Sequence, residues 1–288
     1  MRILVVGSNG QLGRDMVAAC AAGGHRAEGL DVPDIDITNP ACDSVVGDAL
    51  PDIVVNCAGY TAVDACESNR DAAFRVNADG VANLARAAGG LGIPLVHIGT
   101  DYVFDGAASE PYVETDTPNP ISVYGESKLA GERMLAAVLE QHYIFRISWL
   151  YGVHGKNFVK TMRRLARQKQ DDGTSLRVVN DQTGTPTFSM DVCRQILAVI
   201  PTGRFGLYHC SNEGSCTWYE FASHILRASG IDAAVEPCAT RDYPLPALRP
   251  AYSVMENRRL KDEGMHIMSD WRDAFAAFLA QEAAGSGG

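Results

Sequence analysis

A short apolar run, Arg2-Ile-Leu-Val-Val6, leads directly into Gly7-Ser-Asn-Gly-Gln-Leu-Gly13 and then into a helical pattern from Leu12 to Ala22. Few arrangements constrain a fold as strongly. Continuous apolar residues suit a strand buried on both faces, as in a parallel sheet. The first glycine permits a tight turn, the second lets a pyrophosphate approach the backbone, and the third lets helix pack on strand. The helix that follows offers free N–H groups and a positive dipole end to an anion. This strand–turn–helix predicts dinucleotide binding by Gly7, Asn9, Gly10, Gln11, Leu12 and Gly13.

Further strands are expected over Arg26–Leu30, Asp52–Asn56, Leu95–Ile98 and His142–Ile147, with helical patterns between them. Such alternation predicts an α/β fold, a doubly wound parallel sheet of Rossmann type. Asp31 lies 18 residues past Gly13, at the end of the second strand, where an acid accepts from an adenine-ribose hydroxyl. Like-charge repulsion with a 2′-phosphate would favour NADH, while the motifs leave NADH and NADPH both open. Asp36 and Ile37 either border the adenine, or Asp36 is a loop acid and Thr38 a helix cap. The third strand ends in Cys57-Ala-Gly-Tyr-Thr61, so Gly59, Tyr60 and Thr61 face the ligand region. Asn77 reads as a polar residue within a helix spanning about 70–88.

The fourth strand runs into Gly99-Thr100-Asp101-Tyr102, and a helix over about 123–140 carries Tyr124 and Lys128. Residues four apart share a helix face. A phenol near pKa ~10 is a poor acid or base at neutral pH, and an adjacent cation lowers that value. Tyr124 is therefore a candidate general acid or base, Lys128 its electrostatic partner, and Thr100 is placed to hydrogen-bond the substrate oxygen that Tyr124 would protonate. Asp101 adjoins them.

Beyond about Trp149 the texture changes to short elements punctuated by proline. The expected division is a dinucleotide-binding domain over 1–148, a smaller α+β substrate domain over 149–282, and a disordered tail over 283–288. A helical segment near 188–200 is expected to return to the main sheet. Trp218, Tyr219, Phe221 and Trp271 read as core. His154-Gly-Lys-Asn157 and Leu248-Arg249-Pro250 each put a cation in a turn suited to a diphosphate.

A formal net charge of −10 argues against a nucleic-acid partner. Eight scattered cysteines show no metal-ligand or disulfide pattern. No apolar stretch reaches the ~18 residues of a membrane span, and no leader pattern precedes the first strand. A cytoplasmic protein without a membrane partner is expected.

With these motifs in one chain, the sequence resembles the extended short-chain dehydrogenases/reductases, and within them the dTDP-4-dehydrorhamnose reductase family. Val123-Tyr-Gly-Glu-Ser-Lys-Leu-Ala-Gly-Glu132, Arg146-Ile-Ser-Trp-Leu-Tyr151, Lys156-Asn-Phe158 and Asn180-Asp-Gln-Thr-Gly-Thr-Pro186 extend the likeness along most of the chain. The resemblance implies reduction of the C4 ketone of dTDP-4-dehydro-L-rhamnose by NADH or NADPH, the last step of dTDP-rhamnose synthesis. It implies Tyr124 as proton donor, Lys128 on the nicotinamide ribose, Thr100 and Asp101 at the sugar, and Trp149 against it. It places Asn157 and Arg249 near the nucleotide diphosphate. Some relatives dimerise through magnesium held by glutamates; the matching positions here are Asp15 and Met190, so both a monomer and a homodimer stay open. The same fold supports an epimerase acting on another sugar nucleotide, and a non-catalytic regulatory subunit of a methionine adenosyltransferase.

Overall fold

The apolar run at the start of the chain forms the strand Arg2–Val6, with parallel neighbours on both sides. Residues 1–285 are described by the structure, a computed structural model. The sheet has six parallel strands, in the order Gly206–His209, His142–Ile147, Leu95–Thr100, Ile53–Asn56, Arg2–Val6 and Arg26–Leu30. Alternate residues feed opposite layers, as the two-residue strand period requires. Ile3, Val5, Ile53, Val55 and Val96 pack under the helices Gln11–Ala22 and Ser189–Val199, beside Leu12, Met16, Val192 and Ile196. Leu4, Val6, Val54 and Leu95 pack under Gly80–Leu91 and Val123–Val138, beside Val81, Leu84 and Leu135.

The chain first moves outward from Arg2–Val6 to Arg26–Leu30, then crosses back to Ile53–Asn56 on the other flank. The winding therefore reverses between Arg2–Val6 and Ile53–Asn56. Ligands of such sheets bind outside the carboxyl ends of the strands at that crevice, here bounded by Gly7 and by the segment from Cys57 to Thr61.

The sixth strand, Gly206–His209, lies in the stretch that the sequence reading gave to the second domain. The apolar stripe of Ser189–Val199 explains its position. Val192, Cys193, Ile196 and Val199 bury against the first helix, and the chain then enters the sheet beside His142–Ile147.

A second core gathers Tyr151, Phe188, Phe221, Trp271, Phe275 and Phe278. It lies among the helices Phe158–Asp171, Trp218–Ala228 and Trp271–Gly285 and three two-stranded pairings. Full burial of such a side chain contributes roughly 1.5–3 kcal/mol, enough for Phe275 and Phe278 to anchor the last helix. That helix continues through Gly285, so Ala283–Gly285 are helical where the sequence suggested disorder. Extending an existing helix by a residue or two is much cheaper than starting one. The rest of the expected tail, 286–288, lies outside the described residues. The helix expected over 70–88 contains one wide turn, Arg75–Asp79, of π geometry.

Candidate functional site

The glycine turn is tied to the neighbouring strand: the Gly7 and Ser8 N–H groups both donate to the Leu30 carbonyl, at 2.9 and 3.2 Å. A methyl at Gly13 would stand 2.2 Å from the Gly7 carbonyl oxygen, so helix and turn meet backbone to backbone. Gly10 occupies the helix N-cap without any side-chain capping bond. This uncapped helix end, opening into the crevice, fits a dinucleotide pyrophosphate. Asp31 closes the turn by accepting from the Asn9 N–H at 2.9 Å and the Val32 N–H at 2.8 Å. Asp36 accepts from the Thr38 N–H and hydroxyl at 2.9 and 2.8 Å. The Ile37 side chain is buried in the core, and its carbonyl accepts from Asn83 at 2.8 Å. Gln11 begins the helix and accepts from Asn157 at 2.8 Å.

On the other side of the crevice, Thr100 ends its strand and Tyr124 lies in the first turn of Val123–Val138, whose N-cap Ser122 accepts from Gly125 at 3.2 Å. The Thr100 hydroxyl lies beside the Tyr124 phenol and itself donates to Asp101 at 3.2 Å. The Tyr102 ring meets that of Tyr124 edge-on, with centroids 5.4 Å apart. Desolvation pushes the phenol above its ordinary value, against the lowering influence of Thr100, so it holds its proton at neutral pH. This corrects the expectation that Lys128 lowers it. The Lys128 Nζ donates to the Ile98 carbonyl at 2.6 Å, and desolvation of the phenol prevails. Burial also brings Lys128 itself down to about 8, with Glu132 opposing. Asp101 is buried and pushed up to about 6 by desolvation, against nearby donors that include the Thr100 hydroxyl at 3.2 Å.

Asn77, read from sequence as a plain helix residue, ties this region together. From the π turn its side chain accepts from the Tyr60 N–H at 2.8 Å and donates to the Tyr60 carbonyl at 3.0 Å and to Ser127 Oγ at 2.9 Å. Ser127 in turn donates to the Tyr124 carbonyl at 2.8 Å. The strand-end segment Gly59–Tyr60 is thereby fastened to the Tyr124 helix. The available signal was an amide on the apolar face of a helix, a buried group that must find partners.

Trp149 has φ +44°, a left-handed backbone uncommon for a bulky residue. Its indole stacks on Trp218, centroids 3.4 Å apart. Trp218 is half-buried, packed at the edge of the second core against Phe158 as well as beside Trp149, and it donates to Gln182 at 3.2 Å. Arg249 makes a two-pronged contact with Asp64, at 3.1 and 2.8 Å, and lies near the Tyr102 phenol. Asp64 is held below the usual carboxylate range by this contact. Arg249 therefore adjoins the Tyr102–Tyr124 pair, already engaged by a carboxylate. Asn157 caps Phe158–Asp171 and donates to Gln11 and to the Gly152 carbonyl, each at 2.8 Å. That places it against the glycine turn, whereas it was expected, with Arg249, near a substrate diphosphate.

Asp15 and Met190 do not fit a magnesium site. Asp15 is buried and hydrogen-bonded by the Ser189 hydroxyl, with His154 Nε2 at 3.6 Å from its other oxygen. A thioether is a poor ligand for a cation that takes oxygen donors. Among the described residues no group of three His, Cys, Asp or Glu side chains could hold a metal ion. Nor is any described helix long and apolar enough to cross a membrane.

Doubly wound sheets with a glycine turn at the switch point and a Tyr-x-x-x-Lys helix across the crevice characterise the extended short-chain dehydrogenases/reductases, and this chain is one of them. More narrowly, it belongs to the family described as RmlD substrate binding domain, whose model matches residues 1–284. It is 40% identical over 289 residues to a dTDP-4-dehydrorhamnose reductase of Sinorhizobium fredii, covering 95% of each chain. A solved dTDP-4-dehydrorhamnose reductase of Clostridium acetobutylicum superposes with a TM-score of 0.94 at 43% identity, over 98% of this chain and 99% of that one. That of Bacillus anthracis, solved in complex with NADP, has a TM-score of 0.94 at 38% identity, over 97% and 99%.

Proposed function

We propose that this protein reduces the C4 ketone of dTDP-4-dehydro-L-rhamnose to dTDP-L-rhamnose, using NADH or NADPH. The observation that carries the reading is the Thr100 hydroxyl beside the Tyr124 phenol at the carboxyl end of the sheet, across from an uncapped helix end. Two hydroxyls converge there, and the phenol retains its proton. The bound dinucleotide supplies the hydride. Thr100 holds the ketone oxygen in hydrogen-bond reach, and Tyr124 passes its proton to that oxygen as the hydride arrives at carbon. Ser127 and Asn77 fix the backbone carbonyl of Tyr124, and with it the direction of the phenol. Lys128 reaches toward Gly59, the edge on which a nicotinamide ribose would rest. Trp149 and Trp218 wall the sugar side from the second lobe, which takes the nucleotide. Asp31 faces the adenine ribose and disfavours a 2′-phosphate, so NADH is the better reductant.

The test is loss of reduced-nicotinamide absorbance with each cofactor and dTDP-4-dehydro-L-rhamnose. Stoichiometric oxidation with formation of dTDP-L-rhamnose is expected. Tyr124→Phe should lose roughly 100- to 10,000-fold in turnover while binding cofactor normally. Undiminished turnover in that variant removes Tyr124 from the chemistry. Cofactor binding without net oxidation overturns the reductase reading. Equal kcat/KM for NADH and NADPH refutes selection by Asp31.

A further inference from the structure

The reaction described above does not use His97, although this side chain is fully buried in the central strand Leu95–Thr100, directly behind Lys128. Its hydrogen bonds have a definite polarity. Asn56 Oδ1 accepts from the Ala58 N–H at 3.0 Å, and a backbone N–H can only donate. The Asn56 amide is therefore oriented with Nδ2 toward His97 Nδ1, 3.2 Å away. Nδ2 is a donor, so Nδ1 carries a lone pair and the ring proton sits on Nε2. A doubly protonated ring would set N–H against N–H, and burial holds His97 well below its ordinary value as well.

His97 Nε2 lies 3.4 Å from Lys128 Nζ. An ammonium has three donors and no acceptor, and would face the Nε2–H donor to donor. A neutral amine fits: its lone pair accepts from Nε2–H, and one of its own hydrogens goes to Ile98 O at 2.6 Å. We propose that His97 is a positioning residue that weakens the hold of Lys128 on its proton in the ligand-free protein, favouring the amine over the ammonium relative to an exposed lysine. Its tautomer is set by Asn56.

The other groups facing Lys128 support this. Cys57, at the end of the neighbouring strand, is neutral, its thiol pushed up to about 12 by burial. Glu132, one turn along the same helix, favours the ammonium, but it is engaged by Arg146 Nη2 at 2.7 Å and Nε at 3.1 Å. From the segment after Ile53–Asn56, the backbone of Gly59 also approaches Lys128 Nζ. Burial draws Lys128 itself down to about 8. A ligand that brings acceptors such as ribose hydroxyls would strengthen the hold of Lys128 on its proton. That use rests on the reductase reading, whereas the resting state does not.

The test follows the Lys128 ε-carbon resonance in the full chain labelled with 13C-lysine, without cofactor or substrate, the signal being assigned by its loss in Lys128→Met. A titration midpoint near 8 is expected, against about 10.4 for exposed lysines. Asn56→Asp is isosteric and offers acceptors only. It forces the His97 proton onto Nδ1 and turns the Nε2 lone pair toward Lys128, so the midpoint should rise by about one pH unit or more, a tenfold gain in proton affinity. His97→Gln, whose amide can turn its oxygen to the ammonium, should move it the same way. A Lys128 midpoint equal to that of exposed lysines in the parent protein overturns the proposal. So does an unmoved midpoint in whichever variant folds. Neither readout depends on turnover, so a failed reductase assay leaves the titration interpretable.

Discussion

The two sides of the crevice are built differently. The glycine-turn side is made of backbone: uncapped helix N–H groups, the Leu30 carbonyl, and a helix that touches its strand through Gly13. The Tyr124 side is made of buried polar side chains, among them Thr100, Asp101, Lys128, Asn77, Ser127, Glu132 and Arg146. Yet the second side also rests on glycines. A methyl at Gly125 would stand 2.1 Å from the Tyr102 carbonyl oxygen, and one at Gly131 would stand 2.0 Å from that of Asn77. The contrast shows that a site holding a diffuse anion can be generic backbone, while a site moving one proton needs many side chains oriented at once. Each of those must be desolvated and then satisfied, which makes the second side the more fragile.

The largest break is expected at the buried ion pair. Arg146→Met leaves Glu132 buried without its guanidinium and should cost roughly 3–5 kcal/mol in urea unfolding. Next comes Asp101, whose folded value stands above its ordinary 3.8, at about 6. A raised carboxyl contributes stability that is present below the unfolded value and lost as pH rises through the folded one. Asp101→Asn should therefore gain on the parent protein by up to about 3 kcal/mol between pH 3.5 and pH 8, read from paired unfolding curves. A constant difference across that range would show that Asp101 titrates normally.

Gly131→Ala should lose roughly 1–3 kcal/mol of stability, because a backbone carbonyl must move. It should also depress turnover more than dinucleotide affinity, with Gly13→Ala showing the reverse. Parallel losses in both variants would erase the distinction between the two sides. The smallest effect is expected at the exposed pair Arg70–Glu126, where Arg70→Met should change stability by about 1 kcal/mol or less despite a 2.6 Å contact.

What could be read from the chain alone follows the same division. Strands Arg2–Val6 and Ile53–Asn56 announce themselves as unbroken apolar runs, and the glycine spacing depends on local geometry within a few residues. Tyr124 and Lys128 were legible because a helix places them together. Asn77, His97 and Arg249 were not, or only in part, since their partners lie 17, 31 and 185 residues away. A propensity or period carries no information about such pairings. Gly206–His209 escaped for a related reason: four residues amid prolines look like an isolated strand until the helix before it is seen packed against the first one. The direction of the Tyr124 shift was misjudged because a sequence shows which charges are near but not how deeply the phenol is buried.

The sixth strand bears on how far the protein can be taken apart. The chain leaves the sheet after Ile147, builds part of the second lobe, returns as Ser189–Val199 and Gly206–His209, and leaves again. A fragment ending at residue 148 would strip the cover from Leu12 and Met16 and turn His142–Ile147 into an unpaired edge. The two lobes are woven rather than strung. Neither is a portable module, and any exchange of specificity between relatives has to respect both crossings.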